Sequence, residues 1–197
     1  MQVFRIAMMV SSNFGRVALF AASVAVSAFV SSEGAWAGSA DASGTEVRIG
    51  TFYHGYQGRE AGTADVAIDA LLPAFDLGKS PLTERFSLHP QIGVDLNLQG
   101  KTSAAFAGFA GVVELPGNLL VEGDLGGSIN NGKTTSPDDT GRAELGCTTL
   151  FREALGIGFR FSKQASVMAV AEHMSNANLC TPNNGITNFG LRFGYNF

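Results

Sequence analysis

His173 and Ser175 are the residues of this 197-residue chain whose types and spacing best suit chemistry. They lie two positions apart, so on a β-strand both side chains point to the same face. A serine hydroxyl becomes a nucleophile when a nearby base accepts its proton, and histidine is a common base. The pair therefore suggests an ester-hydrolysing site. The alternative is that both residues are polar positions at a membrane headgroup boundary.

The segments around this pair alternate between apolar and polar residues with the period of a β-strand. The stretch at 167–171 places its apolar side chains on the face that His173 and Ser175 continue. The last nine residues place bulky apolar residues on one face and Gly, Arg or Asn on the other. The apolar members are Phe189, Leu191, Phe193, Tyr195 and Phe197.

Such alternation recurs in eight segments after residue 45. Long polar connections and tight turns separate the segments in alternation, as in outer-membrane barrels, which carry long loops outside and short turns at the periplasm. The sequence therefore predicts an all-β fold, an eight-stranded antiparallel transmembrane β-barrel of the outer-membrane type. A soluble lipocalin-like barrel would also show period two. The final strand favours the membrane barrel, because a wholly apolar face opposes glycine and asparagine.

The first 37 residues read as a cleaved signal peptide. Arg5 and Arg16 precede an uncharged run at 17–30, and Ala35-Trp36-Ala37 is a small-x-small cleavage site. The run is shorter than the ~20 residues that a membrane-spanning helix needs. We therefore predict a signal peptide at 1–37 and a barrel domain at 38–197, with a retained signal anchor as the alternative.

Composition and histidine spacing exclude several other functions. The chain has 13 Lys+Arg against 17 Asp+Glu without a basic cluster, so we predict no nucleic-acid partner. The three histidines lie far apart, and neither cysteine has a close ligand partner, so we predict no metal and no cofactor. His54 and His89 are assigned to loops or turns.

The motif His173-Met174-Ser175-Asn176-Ala177, followed by Pro182-Asn183-Asn184-Gly185 and an alternating last strand, resembles the PagL-type lipid A 3-O-deacylases. The resemblance is close over Phe151–Phe197 and weaker before it. It implies an eight-stranded barrel whose Ser/His/acid site faces the lipid. By this resemblance Ser175 is the nucleophile, and His173 is the general base that acts on the ester of a 3-hydroxyacyl chain of lipid A.

The resemblance also implies where an oxyanion is stabilised and where the acid of the triad belongs. Asn176, Asn178 and Asn183 lie where the family builds its oxyanion donors, although asparagine is also common in turns. The position of the family's acid holds Thr187. Thr187 faces outward and can accept a hydrogen bond from the imidazole, but it carries no charge.

Glu153 is a candidate substitute for the missing acid. The two predicted strands before the last one are joined by a turn at 162–165. Pairing them with Phe161 opposite Val167 places Leu155 opposite His173 and Glu153 opposite Ser175. Cross-strand and diagonal neighbours lie within reach of a glutamate. Glu153 would then orient His173 with help from Thr187. The alternative is a rim carboxylate that contacts lipopolysaccharide head groups or cations. Glu172 has the opposite parity and points into the barrel.

The same register brings Cys147 opposite or next to Cys180. An exported chain with two cysteines permits one disulfide, which would pin the loop that follows Ser175.

These observations predict an integral outer-membrane esterase that acts on lipid A or lipopolysaccharide and is surrounded by outer-membrane lipid. The C-terminal strand ending at Phe197 resembles the signal that the barrel assembly machinery recognises. The sequence leaves monomer and homodimer open. The second functional hypothesis is a non-enzymatic barrel with a structural or ligand-binding role, which the absence of an acid at Thr187 favours.

Overall fold

The computed structural model describes residues 44–78, 84–137 and 140–197. The predicted signal peptide at 1–37 lies outside the described residues. Eight antiparallel strands close into one barrel, in which each strand pairs with the next and the last pairs with the first. The strands are β1 Glu46–His54, β2 Thr63–Leu71, β3 Phe86–Asn97, β4 Ala104–Leu115, β5 Leu119–Asn130, β6 Thr149–Arg160, β7 Ala165–Ser175 and β8 Ile186–Asn196.

The outer wall of the barrel is apolar, which confirms the prediction of an outer-membrane-type barrel. Exposed bulky apolar side chains lie on the outward faces of every strand except β7, with Leu155 71% and Leu125 69% exposed. Strands of 9–12 residues match the ~9–11 residues that a tilted strand needs to cross a bilayer. No helix in the described ranges is long and apolar enough to span a membrane.

The interior of the barrel is filled by ion pairs. Arg48 donates to Glu122 at 2.7 Å, Arg152 to Glu172 at 2.8 Å, and Arg192 to Glu122 at 3.0 Å. All five side chains are at most 3% exposed. Removing one partner of such a buried pair costs about 3–5 kcal/mol, since it leaves an uncompensated charge. Glu172 faces inward, as its parity predicted.

Four connections lie at one end of the barrel, which we call the loop end. They span residues 55–62, 98–103, 131–148 and 176–185. Glu60, 2% exposed, ties three of them together. Its carboxylate accepts hydrogen bonds from the Thr102 N–H, the Thr102 hydroxyl and the Ala143 N–H at 3.0, 2.8 and 2.7 Å. The imidazole Nε2 of His54 lies 2.6 Å from the same carboxylate.

Two connections break the predicted alternation of lengths. The connection 72–85 is long although it lies at the turn end, opposite the loop end, and the connection 98–103 is short although it lies at the loop end. The connection 72–85 ends at Arg85, because β3 begins at Phe86. Pro90 cannot donate a strand hydrogen bond, yet it pairs with Phe109, and its carbonyl accepts from the Leu72 N–H at 2.9 Å.

His54 and His89 lie in strands, so their assignment to loops or turns was wrong. His54 is the last residue of β1 and lies buried between Glu60 and Asp65, with its Nδ1 2.6 Å from Asp65. His89 lies in β3, where its ring nitrogens contact the Leu72 carbonyl and the Ser87 hydroxyl, each at 2.9 Å. A polar barrel interior accommodates both rings, which is why polarity alone misplaced them.

The hydrogen bonds that Glu60 accepts from loops 98–103 and 131–148 should weaken in acid. Burial alone would raise the pKa of Glu60, but hydrogen bonds from His54, Ala143 and Thr102 lower it to about 2. A depressed carboxyl pKa contributes stability above its unfolded value, near 4.5, that is lost as the pH falls towards about 2. We expect hydrogen-exchange protection factors of residues 98–103 and 140–146 to fall across this window.

The control for this prediction is Glu60→Gln, which replaces the carboxylate by an amide of similar size. This variant should show reduced protection already at neutral pH and a smaller further loss in acid. Equal pH profiles for the two proteins would show that other groups hold these loops.

Candidate functional site

Three polar side chains form one row across the outward faces of β6, β7 and β8. Glu153 pairs with His173, and His173 pairs with Thr187. Ser175 lies two residues beyond His173 on the same face and pairs with Phe151. His173, Ser175 and Thr187 are half-buried, whereas Glu153 is exposed. The barrel therefore brings the predicted nucleophile, base and both acid candidates to one patch of the outer wall.

The imidazole of His173 is held by Thr187. Its Nδ1 lies 2.8 Å from the Thr187 hydroxyl oxygen, across the β7–β8 pair. When Nδ1–H donates this hydrogen bond, Nε2 keeps its lone pair and is the nitrogen that can accept a proton. The Thr187 hydroxyl therefore lies within hydrogen-bonding distance of the imidazole, across the β7–β8 pair.

Gly185 makes room for that imidazole, a role that the sequence did not reveal. Its φ is 56°, in the left-handed region that favours glycine. A Cβ there would lie 2.9 Å from Cε1 and 3.3 Å from Nε2 of His173. Only the fold brings Gly185 against the ring of His173.

Glu153 lies directly opposite His173, not opposite Ser175. The predicted register of β6 and β7 was wrong by two residues, since Val167 pairs with Phe159 rather than with Phe161. The cause is the Ser162 hydroxyl, which accepts hydrogen bonds from the N–H groups of residues 164 and 165 and closes a tighter turn. Glu153 makes no hydrogen bond or ion pair to another described residue.

The chain turns sharply after Ser175. Ala177 and Asn178 have φ of 51° and 64°, and the Leu179 N–H donates to the Asn176 carbonyl at 3.0 Å. Positive φ at both central residues defines a type I′ turn, which asparagine tolerates better than alanine. The N–H groups of Ala177 and Asn178 have no acceptor within the described part of the chain.

The three candidate oxyanion asparagines lie together, but their amides hold the loop. Asn176 is 2% exposed, and its Nδ2 lies 2.7–3.1 Å from the carbonyl oxygens of Leu145, Cys180 and Pro182. The Asn176 N–H donates to the Asn183 side-chain oxygen at 3.1 Å. The Asn183 amide donates to the Asn178 side chain at 3.1 Å.

The loop 176–185, which follows Ser175 and which we call the site loop, is linked to its neighbours at the loop end. Cys147 and Cys180 are joined by a disulfide, with Cα atoms 5.8 Å apart, so loop 131–148 is covalently linked to loop 176–185. Loop 55–62 reaches the site as well. The Tyr56 N–H donates to the Thr187 carbonyl at 2.7 Å, and the Tyr56 ring packs edge-on against Phe189 at 5.2 Å. Sequence reasoning did not identify Tyr56.

Loss of the disulfide should free the site loop. A link across 33 residues stabilises a fold by roughly 3–4 kcal/mol in the loop-entropy account. We expect the paired substitution Cys147→Ser and Cys180→Ser to accelerate proteolysis within 176–185 while the strands stay protected. Unchanged cleavage of this loop would show that the hydrogen bonds of Asn176 suffice to hold it.

No group of three or more His, Cys, Asp or Glu side chains suited to a metal ion occurs within the ranges that the structure describes.

Comparisons with known proteins place these features in a family. A family model described as "Lipid A 3-O-deacylase (PagL)" matches residues 74–196, which include every site residue discussed above except Tyr56. No individually curated protein matches the chain.

Solved structures share the fold. The crystal structure of the outer membrane enzyme PagL is 20% identical with a TM-score of 0.60, covering 76% of this chain and 98% of that one. The N-terminal β-barrel domain of Pseudomonas aeruginosa OprF is 12% identical with a TM-score of 0.51, covering 79% and 98%. A de novo designed transmembrane β-barrel is 14% identical with a TM-score of 0.50, covering 79% and 96%.

Proposed function

Because the chain belongs to the PagL family of lipid A 3-O-deacylases, we propose that it removes the ester-linked 3-hydroxyacyl chain from the 3-position of lipid A in the bacterial outer membrane. The observation that carries the proposal is the His173–Thr187 hydrogen bond beside Ser175 on the outward wall. Nucleophilic ester cleavage needs a serine and a base with a free nitrogen, and the hydrogen bond to Thr187 leaves Nε2 of His173 for that role. Its lipid-facing position suits a substrate that is itself a membrane lipid.

The reaction would proceed through an acyl-enzyme. His173 Nε2 accepts the proton of the Ser175 hydroxyl as its oxygen attacks the ester carbonyl carbon. The tetrahedral intermediate collapses, the bond to the sugar oxygen breaks, and His173 returns the proton to that oxygen. Water, deprotonated by His173, then attacks the carbonyl carbon of acyl-Ser175. The bond to the serine oxygen breaks, His173 returns the proton to that oxygen, and the 3-hydroxy fatty acid leaves.

Thr187 and Glu153 would each take over one part of the role of the acid in a catalytic triad. The Thr187 hydroxyl accepts the Nδ1–H hydrogen bond and so fixes the tautomer and the ring plane. It carries no charge to stabilise the imidazolium that forms during the reaction. Glu153, the cross-strand neighbour of His173, supplies that negative charge from the other side. Side chains directly opposite each other on paired strands have Cβ atoms ~4.5–5.5 Å apart, within reach of a carboxylate.

The turn after Ser175 offers the best-placed hydrogen-bond donors for the oxyanion. Asn176, Asn178 and Asn183 are the side-chain candidates, but the Asn176 amide is engaged by three loop carbonyls. The N–H groups of Ala177 and Asn178 lie two and three residues after Ser175, and they have no acceptor within the described part of the chain. We assign them as the donors, with the asparagines shaping the turn. One such donor is typically worth ~10²–10³ in rate.

A non-enzymatic barrel is the second candidate, favoured by the neutral Thr187 at the family's acid position. Assembly through the C-terminal strand and homodimer formation stay predictions for either candidate.

Lipid A from cells expressing the protein separates these candidates. Mass spectrometry should show loss of one 3-hydroxyacyl group with the wild type and intact lipid A with Ser175→Ala, because only the former has the nucleophile. Both proteins must be present in the outer membrane as folded barrels. Intact lipid A with folded wild type would favour the non-enzymatic barrel.

The roles of Thr187 and Glu153 predict a specific kinetic pattern. Thr187→Val and Glu153→Gln should each lower kcat at least about tenfold, or about 1.4 kcal/mol, with little change in KM, because neither group binds the ground-state ester. Thr51→Val, on the outward face of β1, is the matched control and should keep full activity. A Glu153→Gln enzyme with unchanged kcat would make Glu153 a simple rim carboxylate.

A further inference from the structure

A chamber of ≈ 240 Å³ lies inside the barrel at the turn end. Three charged side chains stand at its rim. Glu46 is the first residue of β1, Glu114 the next-to-last residue of β4, and Arg160 the last residue of β6. We call this cavity the turn-end chamber. Its volume is just below the ~300–1,000 Å³ of drug-sized ligand sites, so it suits a smaller molecule.

The guanidinium of Arg160 lines the chamber without donating a hydrogen bond. Arg160 is 5% exposed, and its Nε and Nη1 have no acceptor among the residues that the structure describes. Arg48, Arg152 and Arg192, in contrast, each donate a hydrogen bond to a carboxylate of the interior. Buried polar groups are as a rule hydrogen-bonded, so the unused donors of Arg160 call for an acceptor from outside the barrel wall.

Two carboxylates flank this guanidinium but form no hydrogen bond with it. Nη1 of Arg160 lies 4.0 Å from Glu46, and Nε lies 3.5 Å from Glu114. The side chains of Glu46 and Glu114 are 13% and 22% exposed, and neither carboxylate accepts a hydrogen bond from another described residue. The rim therefore offers unused donors and unused acceptors to the same space.

The chamber also has a buried apolar patch, formed by four side chains that are each at most 9% exposed. They are Leu71, Val112, Leu120 and Met168. Val112 lies two residues from Glu114 on the same face of β4. Met168 pairs with Gly158, two residues from Arg160 on the same face of β6. Part of the apolar patch therefore lies deeper in the barrel than the charged rim.

Water matches only the polar part of this lining. Bridging waters could join Arg160 to the two carboxylates across gaps of this length. The apolar patch offers water no hydrogen-bond partner, and apolar surface is better covered by apolar atoms. A ligand that fits the whole chamber needs an acceptor for Arg160, donors for Glu46 and Glu114, and an apolar part.

A free α-amino acid carries these three parts on one carbon atom. Its carboxylate accepts hydrogen bonds from a guanidinium, whose geometry suits carboxylates well. Its ammonium group has three donors for neighbouring carboxylates. Its side chain leaves the same carbon, so a zwitterion bound at the rim can direct an apolar side chain towards Val112 and Met168.

We propose that the turn-end chamber binds a free α-amino acid with an apolar side chain. Arg160 binds the carboxylate, Glu46 and Glu114 bind the ammonium group, and the side chain packs against the apolar patch. The short-turn end of an outer-membrane barrel faces the periplasm, so the ligand enters from that side. The chamber lies at the opposite end of the barrel from His173 and Ser175, and the proposal does not depend on the deacylase function.

The two methionines of the described strands provide a direct measurement. Met168 lines the chamber, whereas Met174 is buried near the loop end of β7. The folded barrel, purified in detergent with ¹³C in its methionine methyl groups, is titrated with L-leucine and followed by NMR. The Met168 methyl resonance should shift and saturate, while the Met174 resonance should stay in place.

Two leucine derivatives test the need for both charges. N-acetyl-leucine lacks the ammonium group and resembles a peptide C-terminus, whereas leucinamide lacks the carboxylate and resembles a peptide N-terminus. Each should bind at least about tenfold more weakly than leucine, because each leaves part of the charged rim without a partner.

Three substitutions complete the test. Glu114→Gln removes one carboxylate of the rim, and Arg160→Lys keeps the positive charge but removes the guanidinium. Each should raise the Kd for leucine about tenfold. Glu144→Gln makes the same carboxylate-to-amide change at the loop end and should keep the wild-type Kd. If Arg160→Lys does not fold, the comparison of Glu114→Gln with Glu144→Gln decides.

A folded wild type whose Met168 resonance does not respond to millimolar leucine would overturn the proposal and leave the chamber as a solvent-filled end of the barrel. Equal affinities for leucine and its two derivatives would also overturn it, as would equal Kd values for Glu114→Gln and Glu144→Gln. None of these results bears on the cleavage of lipid A.

Discussion

A β-strand presents each residue to one of two faces, and this constraint governs the rest of the molecule. Closing eight strands into a barrel makes one face a buried interior and the other a membrane surface. Polar residues on the inner face must find partners among themselves, and Arg48, Arg152 and Arg192 do so with buried carboxylates. Polar residues on the outer face are costly in lipid, so His173, Ser175 and Glu153 call for a functional reason.

The same constraint explains why the site sits at the loop end of β7. Two residues on one face of one strand cannot supply a catalytic unit alone, so neighbouring strands must contribute. Thr187 on β8 reaches the imidazole, and Glu153 lies across β6. The disulfide and the amide of Asn176 then hold the turn that follows Ser175. A wall of paired strands supported by these fastened loops keeps the groups in this arrangement.

The sequence predicts which face of a strand each residue occupies, but it does not reveal which residues of neighbouring strands pair. Alternation alone placed His173, Ser175 and Thr187 on the outward face and Glu172 inside, and all four lie there. The predicted β6–β7 register was wrong by two residues because the Ser162 hydroxyl closes the turn. The hydropathy pattern does not encode this contact. The predictions for His54 and His89 were wrong for a different reason. The barrel interior is polar, so buried strand residues there resemble loop residues in the sequence. Contacts between distant segments, such as Tyr56 with Thr187, left no local signal.

The central claim is that His173 activates Ser175 on the lipid-facing wall. A fluorophosphonate that reacts only with activated serines tests it most directly on the folded barrel in detergent, with the adduct located by peptide mass spectrometry. The account predicts an adduct on Ser175 in the wild type and almost none in His173→Ala. Equal labelling of the two proteins, or no label on Ser175 in the folded wild type, would contradict it.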